Sequence, residues 1–252
     1  MKIRLDLIVV ERGLAKSRQR ARALIMAGKV LVNNHLTDKP GTLVSTDASV
    51  VLKGEDIPYV SRGGLKLEAA LQTFDVMADG LVCLDVGAST GGFTDCLLQH
   101  GASRVFAVDV GYGQLAWKLR QDSRVVVIER TNIRYMPLET LSLSVDIVTI
   151  DVSFISLKIV VPAILKFMKK EGQILALIKP QFEVGKGKVG KGGVVRDSGL
   201  HDEVICSLRD FFAGIGLFCE SVIPSPILGP KGNKEFIISM KYSECRERAR
   251  CP

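Results

Sequence analysis

From residue 81 onward the chain alternates short, almost wholly apolar runs with stretches whose apolar residues recur at helical spacing. The apolar runs at 81–84, 104–109, 124–128, 145–150, 173–178, 217–223 and 235–240 read as strands, and helices are predicted over 65–74, 91–100, 113–121, 157–170 and 200–214. Strands without polar alternation, separated by helices, predict a mostly parallel sheet covered on both faces. The last two runs flank Pro224–Asn233 and predict an antiparallel hairpin at one edge of that sheet.

The first 60 residues read differently. Asp6–Arg12 predicts a short helix closed by Gly13, and Ser17 is placed to cap a second helix, Arg18–Ala27, closed by Gly28. Lys29–Val32, the turn Asn33-Asn34, Thr42–Val44 and Ser49–Leu52 then predict a compact β-hairpin region. Glu55–Tyr59 carries no apolar period and Pro58 disfavours helix before it. The expected organisation is a small α+β domain over 1–56, a linker at 57–60 and a Rossmann-like α/β domain over 61–252, with a loose charged tail at 243–252.

Composition narrows the class. A chain of 252 residues with 47% hydrophobic and 24% charged residues has the balance of an ordinary globular protein. It contains no apolar run of the roughly 18–20 residues that a membrane helix needs, and Met1–Asp6 lacks a signal-peptide pattern, so the cytoplasm is the expected address. Cysteines 83, 96, 206, 219, 245 and 251 form no close pair, which suggests neither a metal site nor a disulfide framework. A monomer is expected.

The formal net charge of +7 divides into +4 for residues 1–60 and +3 for residues 61–252. Arg18 and Arg22 stand four apart on the second helix, away from the apolar face of Ala21, Leu24 and Ile25. Such a face is either merely solvated or a site for polyanions. The run Ser17–Asn33 resembles the S4-type RNA-binding domain, over about residues 3–55. The resemblance implies that Arg4 and Arg18, with Lys16, Arg20 and Arg22 beside them and Arg62 at the start of the next domain, meet the phosphates of structured RNA.

In the larger domain, Leu81–Val110 reads as strand, glycine-rich turn, helix and a second strand ending in Asp109. Such a unit binds something nucleotide-like. The order Asp85-x-Gly87-x-Ser89-x-Gly91-Gly92 departs from the dinucleotide fingerprint, because Ser89 stands where the middle glycine would be. It resembles motif I of S-adenosylmethionine-dependent methyltransferases. The resemblance implies a cofactor cradle of Gly87, Ala88, Ser89, Thr90, Gly91, Gly92 and Phe93. In it Asp85 draws the sulfonium and amino end, Asp109 with Val110 takes the ribose hydroxyls, Asn132 meets the adenine edge and Asp151 stands alongside.

Four charged residues fall at the sheet edge where open α/β folds place their chemistry. Asp151 and Lys179 end two strands, Glu235 starts the last one, and Lys66 lies near the amino end of the domain's first helix, where the helix dipole disfavours a cation. Lys66, Asp151, Lys179 and Glu235 resemble the tetrad of FtsJ-type RNA 2′-O-methyltransferases. With Ser61–Lys66, Asp85–Phe93, Ile150–Ser156 and Ile178–Glu183, the chain is similar to the TlyA family over almost its whole length. That family methylates ribose 2′-hydroxyls of cytidines in ribosomal RNA, and some members carry the label haemolysin. Ribosomal RNA and ribosomal subunits are the implied partners.

Lys179 is the residue expected to contact the 2′-hydroxyl. Lys66 would lower its proton affinity and Asp151 and Glu235 would raise it, so a true base and an orienting cation both remain open. The segment Glu183–Arg196 holds five glycines and three lysines, Lys186, Lys188 and Lys191, and is expected to close over RNA phosphates or to stand free as a loop. Two other functions fit parts of the chain: an RNA-binding protein of the same fold without turnover, and a membrane-lytic protein using Lys158–Lys170 as an amphipathic helix.

Overall fold

The computed structural model describes residues 2–33, 35–53, 57–185, 187–190 and 192–242. The chain divides into two units, Met1–Ile57 and Pro58–Pro252. Residues 58–60, expected as linker, belong to the second unit: Tyr59 is buried and donates to Glu68 Oε1 at 2.9 Å, and Val60 N donates to Asp95 Oδ2 at 2.8 Å. The expected loose tail at 243–252 and the linker's Glu55 and Asp56 lie outside the described residues.

The first unit runs β1 (Lys2–Arg4), α1 (Leu5–Glu11), α2 (Arg18–Met26), β2 (Val30–Val32), β3 (His35–Leu36), β4 (Leu43–Ser45) and β5 (Val50–Leu52). Ser17 Oγ accepts from Arg20 N at 3.2 Å and caps α2 as its side-chain chemistry predicts. Leu5, Ile8, Val9, Leu24, Ile25 and Val30 close the small core. The expected hairpin region is divided between two sheets. β2 pairs antiparallel with both β3 and β5, whereas β4 pairs with β1. β1 and β3 have three and two residues, too few to show a period of two in sequence.

The second unit runs α3 (Gly63–Thr73), β6 (Val82–Val86), α4 (Gly92–Gln99), β7 (Arg104–Val108), α5 (Trp117–Arg120), β8 (Val125–Ile128), β9 (Val145–Ile150), α6 (Leu157–Ile164), β10 (Met168–Ile178), α7 (Pro180–Glu183), α8 (Ser198–Gly214), β11 (Leu217–Pro224) and β12 (Phe236–Tyr242). Its seven-stranded sheet has the order β11-β12-β10-β9-β6-β7-β8. β12 is antiparallel to both neighbours, and β10, β9, β6, β7 and β8 are parallel. The strand order reverses between β6 and β9, which opens a crevice at their carboxyl ends.

Two predicted helices are shorter in the structure. Of 113–121 only α5 is helical, because Gly113 N donates sideways to Glu129 Oε1 at 2.8 Å and Arg120 pairs with the same carboxylate. The helix predicted over 157–170 ends at Ile164 and passes through a 3-10 turn, Leu165–Phe167, into β10. Pro162 denies one helical carbonyl its donor, and the parallel pairing of Met168 with Val145 recruits the polar Lys169–Glu171 stretch into a strand. Leu157, Val160, Val161, Ile164 and Phe167 all lie in the sheet's core, so this segment covers the sheet and presents no free apolar face.

Candidate active site

The turn after β6 is built for close approach. Gly87 has φ +84°, its N–H and that of Ala88 donate to Val108 O at 2.9 and 3.1 Å, and a Cβ on Gly87 would lie 2.5 Å from the Asp151 carbonyl oxygen. Only a residue without a side chain lets the ends of β6 and β9 meet this tightly. Ser89 follows at φ +48°, and its N–H donates to Asp109 Oδ2 at 2.8 Å. Gly111 N donates to Asp109 Oδ1 at 2.7 Å, so the carboxylate at the end of β7 is held by two backbone amides.

Gly87, Ser89 and Asp109 line a cavity of about 550 Å³ together with Val110, Gln114, Asn132, Asp151 and Phe154. A pocket of this size suits a small-molecule cofactor. Its polar groups fit a nucleoside: Asp109 retains acceptor capacity for a ribose diol, and the Asn132 amide faces the same space. Asn132 Oδ1 accepts from Arg134 N at 3.1 Å and Nε at 3.2 Å, which leaves Nδ2 without a partner among the described residues.

Asp85 is a correction. Its carboxylate is wholly buried, accepting from Thr94 Oγ1 at 2.6 Å and Thr149 Oγ1 at 3.1 Å, and it lines neither this cavity nor the next. Its side chain staples α4 and β9 beneath the glycine turn, away from the space expected for the sulfonium. Gly91 likewise sits behind the turn, packed against Leu115 and Leu119. Burial pushes the Asp85 carboxyl up to about 7 against those two hydrogen bonds. The native state therefore holds a proton that the unfolded chain releases near pH 4, and this group's contribution to stability falls as pH rises from about 4 to 7. Asp85→Asn is expected to flatten that part of the stability profile, followed through the fluorescence of the single tryptophan, Trp117; an unchanged slope would refute the assignment.

A second cavity, of about 480 Å³, is lined by Lys66, Asp151, Lys179 and Glu235, with Ala88, Thr90, Gly92, Phe93 and Arg62. It shares Gly87, Ser89, Asp151 and Ser153 with the first. The tetrad is two ion pairs. Lys66 Nζ donates to Glu235 Oε2 at 2.5 Å, with side chains 10% and 0% exposed. Lys179 Nζ stands 2.6 Å from Asp151 Oδ1 and donates to Ser153 Oγ at 3.0 Å. Each ammonium is matched by its own carboxylate. Glu235 Oε1 is buried without a hydrogen-bond partner among the described residues, and a Cβ on Gly229 would lie 2.0 Å from it. The bare Gly229 backbone thus makes room for the acid.

Some features escaped the sequence reading. Ser153, inside the quoted motif, holds Lys179; Gln114 accepts from Ser89 Oγ at 3.2 Å; and Phe154, at φ +63°, leaves its ring 90% exposed at the cofactor-sized cavity. A non-glycine residue held in the left-handed region is a mark of functional sites, and only coordinates reveal it. Of the basic residues, Lys16, Arg22 and Arg62 are exposed, Arg20 is half-buried in α2, and Lys188 pairs with Glu203 at 2.8 Å. Lys186 and Lys191 lie outside the described residues. Arg18 is not the free cation that its helix face suggests, because it bonds Asp6.

Fold and site together define an S-adenosylmethionine-dependent methyltransferase fold joined to an RNA-binding type of module: residues 59–242 match the model of the FtsJ-like methyltransferases and residues 3–50 that of the S4 domain. The chain is 48% identical over 239 residues to the 16S/23S rRNA (cytidine-2′-O)-methyltransferase TlyA of Mycobacterium tuberculosis, covering 94% of this chain and 89% of that one. It is 42% identical over 237 residues to hemolysin A of Brachyspira hyodysenteriae, covering 93% and 98%. A solved hemolysin-named protein of Streptococcus thermophilus superposes with a TM-score of 0.77 at 43% identity, over 96% of this chain and 89% of that one. The chain belongs to the TlyA family.

Proposed function

We propose that this protein transfers a methyl group from S-adenosylmethionine to the ribose 2′-hydroxyl of a cytidine in ribosomal RNA. The observation that carries the reading is the meeting of two cavities at Asp151 and Ser153, one of cofactor size and one lined by both ion pairs. The M. tuberculosis relative bears this activity in its name. When bound, the cofactor supplies an electrophilic methyl group on its sulfonium. Asp109 would accept from its ribose diol, Asn132 Nδ2 would donate to its adenine edge, and the Gly87–Ser89 backbone would leave room for it.

A ribose hydroxyl is a weak acid and a weak nucleophile, so it must be oriented and relieved of its proton as its oxygen is alkylated. Lys179 Nζ, fixed between Asp151 and Ser153, directs its remaining N–H to that oxygen. As the oxygen is alkylated, Lys179 passes one proton to Asp151 Oδ1, 2.6 Å away, and takes up the hydroxyl proton in its place. Lys66 and Glu235 form the far wall. Burial of the Lys66–Glu235 pair excludes water there, which strengthens that contact. Arg4 and Arg18, with the other basic residues of the first unit, hold phosphates of the surrounding RNA.

The membrane-lytic alternative loses its amphipathic segment to the sheet core, and no helix among the described residues is long and apolar enough to cross a membrane. Labelled methyl groups from S-adenosylmethionine are expected to enter isolated ribosomal subunits and, after digestion to nucleosides, to appear in 2′-O-methylcytidine. Absence of label, or label on a base, would overturn the proposal.

A further inference from the structure

Asp6 has no part in the reading above, yet its carboxylate holds two arginines at once. It is the second residue of α1, and its side chain is 0% exposed. Oδ1 accepts from Arg4 Nε at 2.9 Å, Oδ2 accepts from Arg4 Nη2 at 3.0 Å, and the same Oδ2 accepts from Arg18 Nε at 3.0 Å. One carboxylate thus joins the end of β1 to the first residue of α2. Since two guanidinium nitrogens share one oxygen, they lie within about 6 Å of each other. The arginines themselves remain 43% and 55% exposed.

The backbone fixes this arrangement. Leu5 N donates to Thr42 O at 2.8 Å and Asp6 N to Pro40 O at 3.0 Å, which seats the start of α1 on the 40–42 turn. Gly41 in that turn lies against the Arg4 guanidinium, 3.4 Å from Nη1 to the place of a Cβ. Among the described residues, Arg4 Nη1 and both terminal nitrogens of Arg18 have no hydrogen-bond partner. Five-donor guanidinium forks with donors left over suit an anion that accepts from several directions at once. A buried carboxylate is weak evidence for stability, because its desolvation offsets the attraction, so it invites another role.

We infer that Asp6 is a positioning residue that locks Arg4 and Arg18 into a single two-guanidinium site for an RNA phosphodiester. The bond from Arg4, with Arg18 adding to it against burial, holds the Asp6 carboxyl down to about 2, so the anchor is charged at any working pH. Without it, two long side chains would have to be ordered and brought together against like-charge repulsion at the moment of binding.

The inference rests on the RNA-binding reading and makes a prediction of opposite sign to simple electrostatics. Asp6→Asn removes a negative charge beside the phosphates. If the arginines act only as point charges, the variant binds RNA more tightly. If Asp6 positions them, it binds more weakly, by about 10-fold, and the slope of log affinity against log salt falls by roughly 1 as one phosphate contact is lost. The measurement is filter binding of the full-length protein to deproteinised bacterial 23S rRNA across a salt series, with thermal unfolding as a control for folding. Arg18→Lys, which keeps the charge and loses the fork, serves as the second variant and is expected to weaken binding nearly as much as Arg18→Ala. In the background Arg4→Ala with Arg18→Ala, Asp6→Asn should weaken binding no further. Wild-type failure to retain RNA removes the reading on which the inference rests, and the inference with it. Wild-type retention with equal or tighter binding by Asp6→Asn, or wild-type affinity in Arg18→Lys, overturns the inference alone.

Discussion

Lys179→Ala is expected to slow methyl transfer by about 10²–10⁴-fold, the range for loss of a group that handles a proton in the transition state. The ammonium stands 2.6 Å from Asp151 and 3.0 Å from Ser153, so its direction is set before any substrate arrives. On the proposed mechanism, alanine removes both the donor to the hydroxyl and the route by which the proton leaves. Asp109 and Asn132, which line the other cavity, are untouched by the change. Single-turnover transfer should therefore fall while the dissociation constant for S-adenosylmethionine, measured calorimetrically, stays within a few-fold. Transfer within about twofold of wild type would show that Lys179 does not act on the hydroxyl.

The Lys66–Glu235 pair should show the second large effect, and in a form that separates folding from catalysis. Glu235→Leu leaves an ammonium whose side chain is only 10% exposed without its carboxylate. Removing one partner of a buried pair typically costs about 3–5 kcal/mol. Lys66→Met leaves the complementary charge in a fully buried position. The double variant, Lys66→Met with Glu235→Leu, replaces both charges by apolar groups and should recover most of the stability lost by either single change. It should recover no turnover. Urea unfolding followed at Trp117 reads the first quantity and labelled transfer the second. A double variant as unstable as the sum of the singles would show that the two groups do not act as a pair, and one that turned over would place the pair outside the reaction.

Much of the second unit was legible because its physics is local. Strands β6 to β9 and the second half of β10 are largely apolar on both faces, the composition of a sheet that helices cover on both sides. Asp151 and Lys179 were legible for a related reason: each immediately follows such a run, and chain order alone places them at carboxyl ends. Helix ends were less legible. The shortening of the 157–170 prediction at Ile164 depends on the pairing of Met168 with Val145, 23 residues away in sequence, which no local period encodes.

The acids divide in the same way. Asp85 and Asp109 look alike in sequence, each at or near the end of an apolar strand. Asp85 lies within β6 and points into the protein toward Thr94 and Thr149, whereas Asp109 is one residue past β7 and opens onto the cavity. Position along the strand decides between them: Asp85 pairs with Ala107 inside the sheet, whereas Asp109, two residues further on, stands past the last paired residue, where the crevice opens.

By itself, the sequence determined the two-part organisation, the sheet class and the glycine turn, because each rests on composition or on spacing within a few residues, whereas Lys66, Asp151, Lys179 and Glu235 stood out as a set only through their resemblance to a known tetrad. Only the tertiary structure decided how those groups pair: Lys66 with Glu235, Lys179 with Asp151, and Arg4 with Arg18 through Asp6. A charged side chain carries no mark of its partner. Partner choice follows from which strand ends and helix starts the packed core brings within about 3 Å, and that is settled by contacts far apart in the chain.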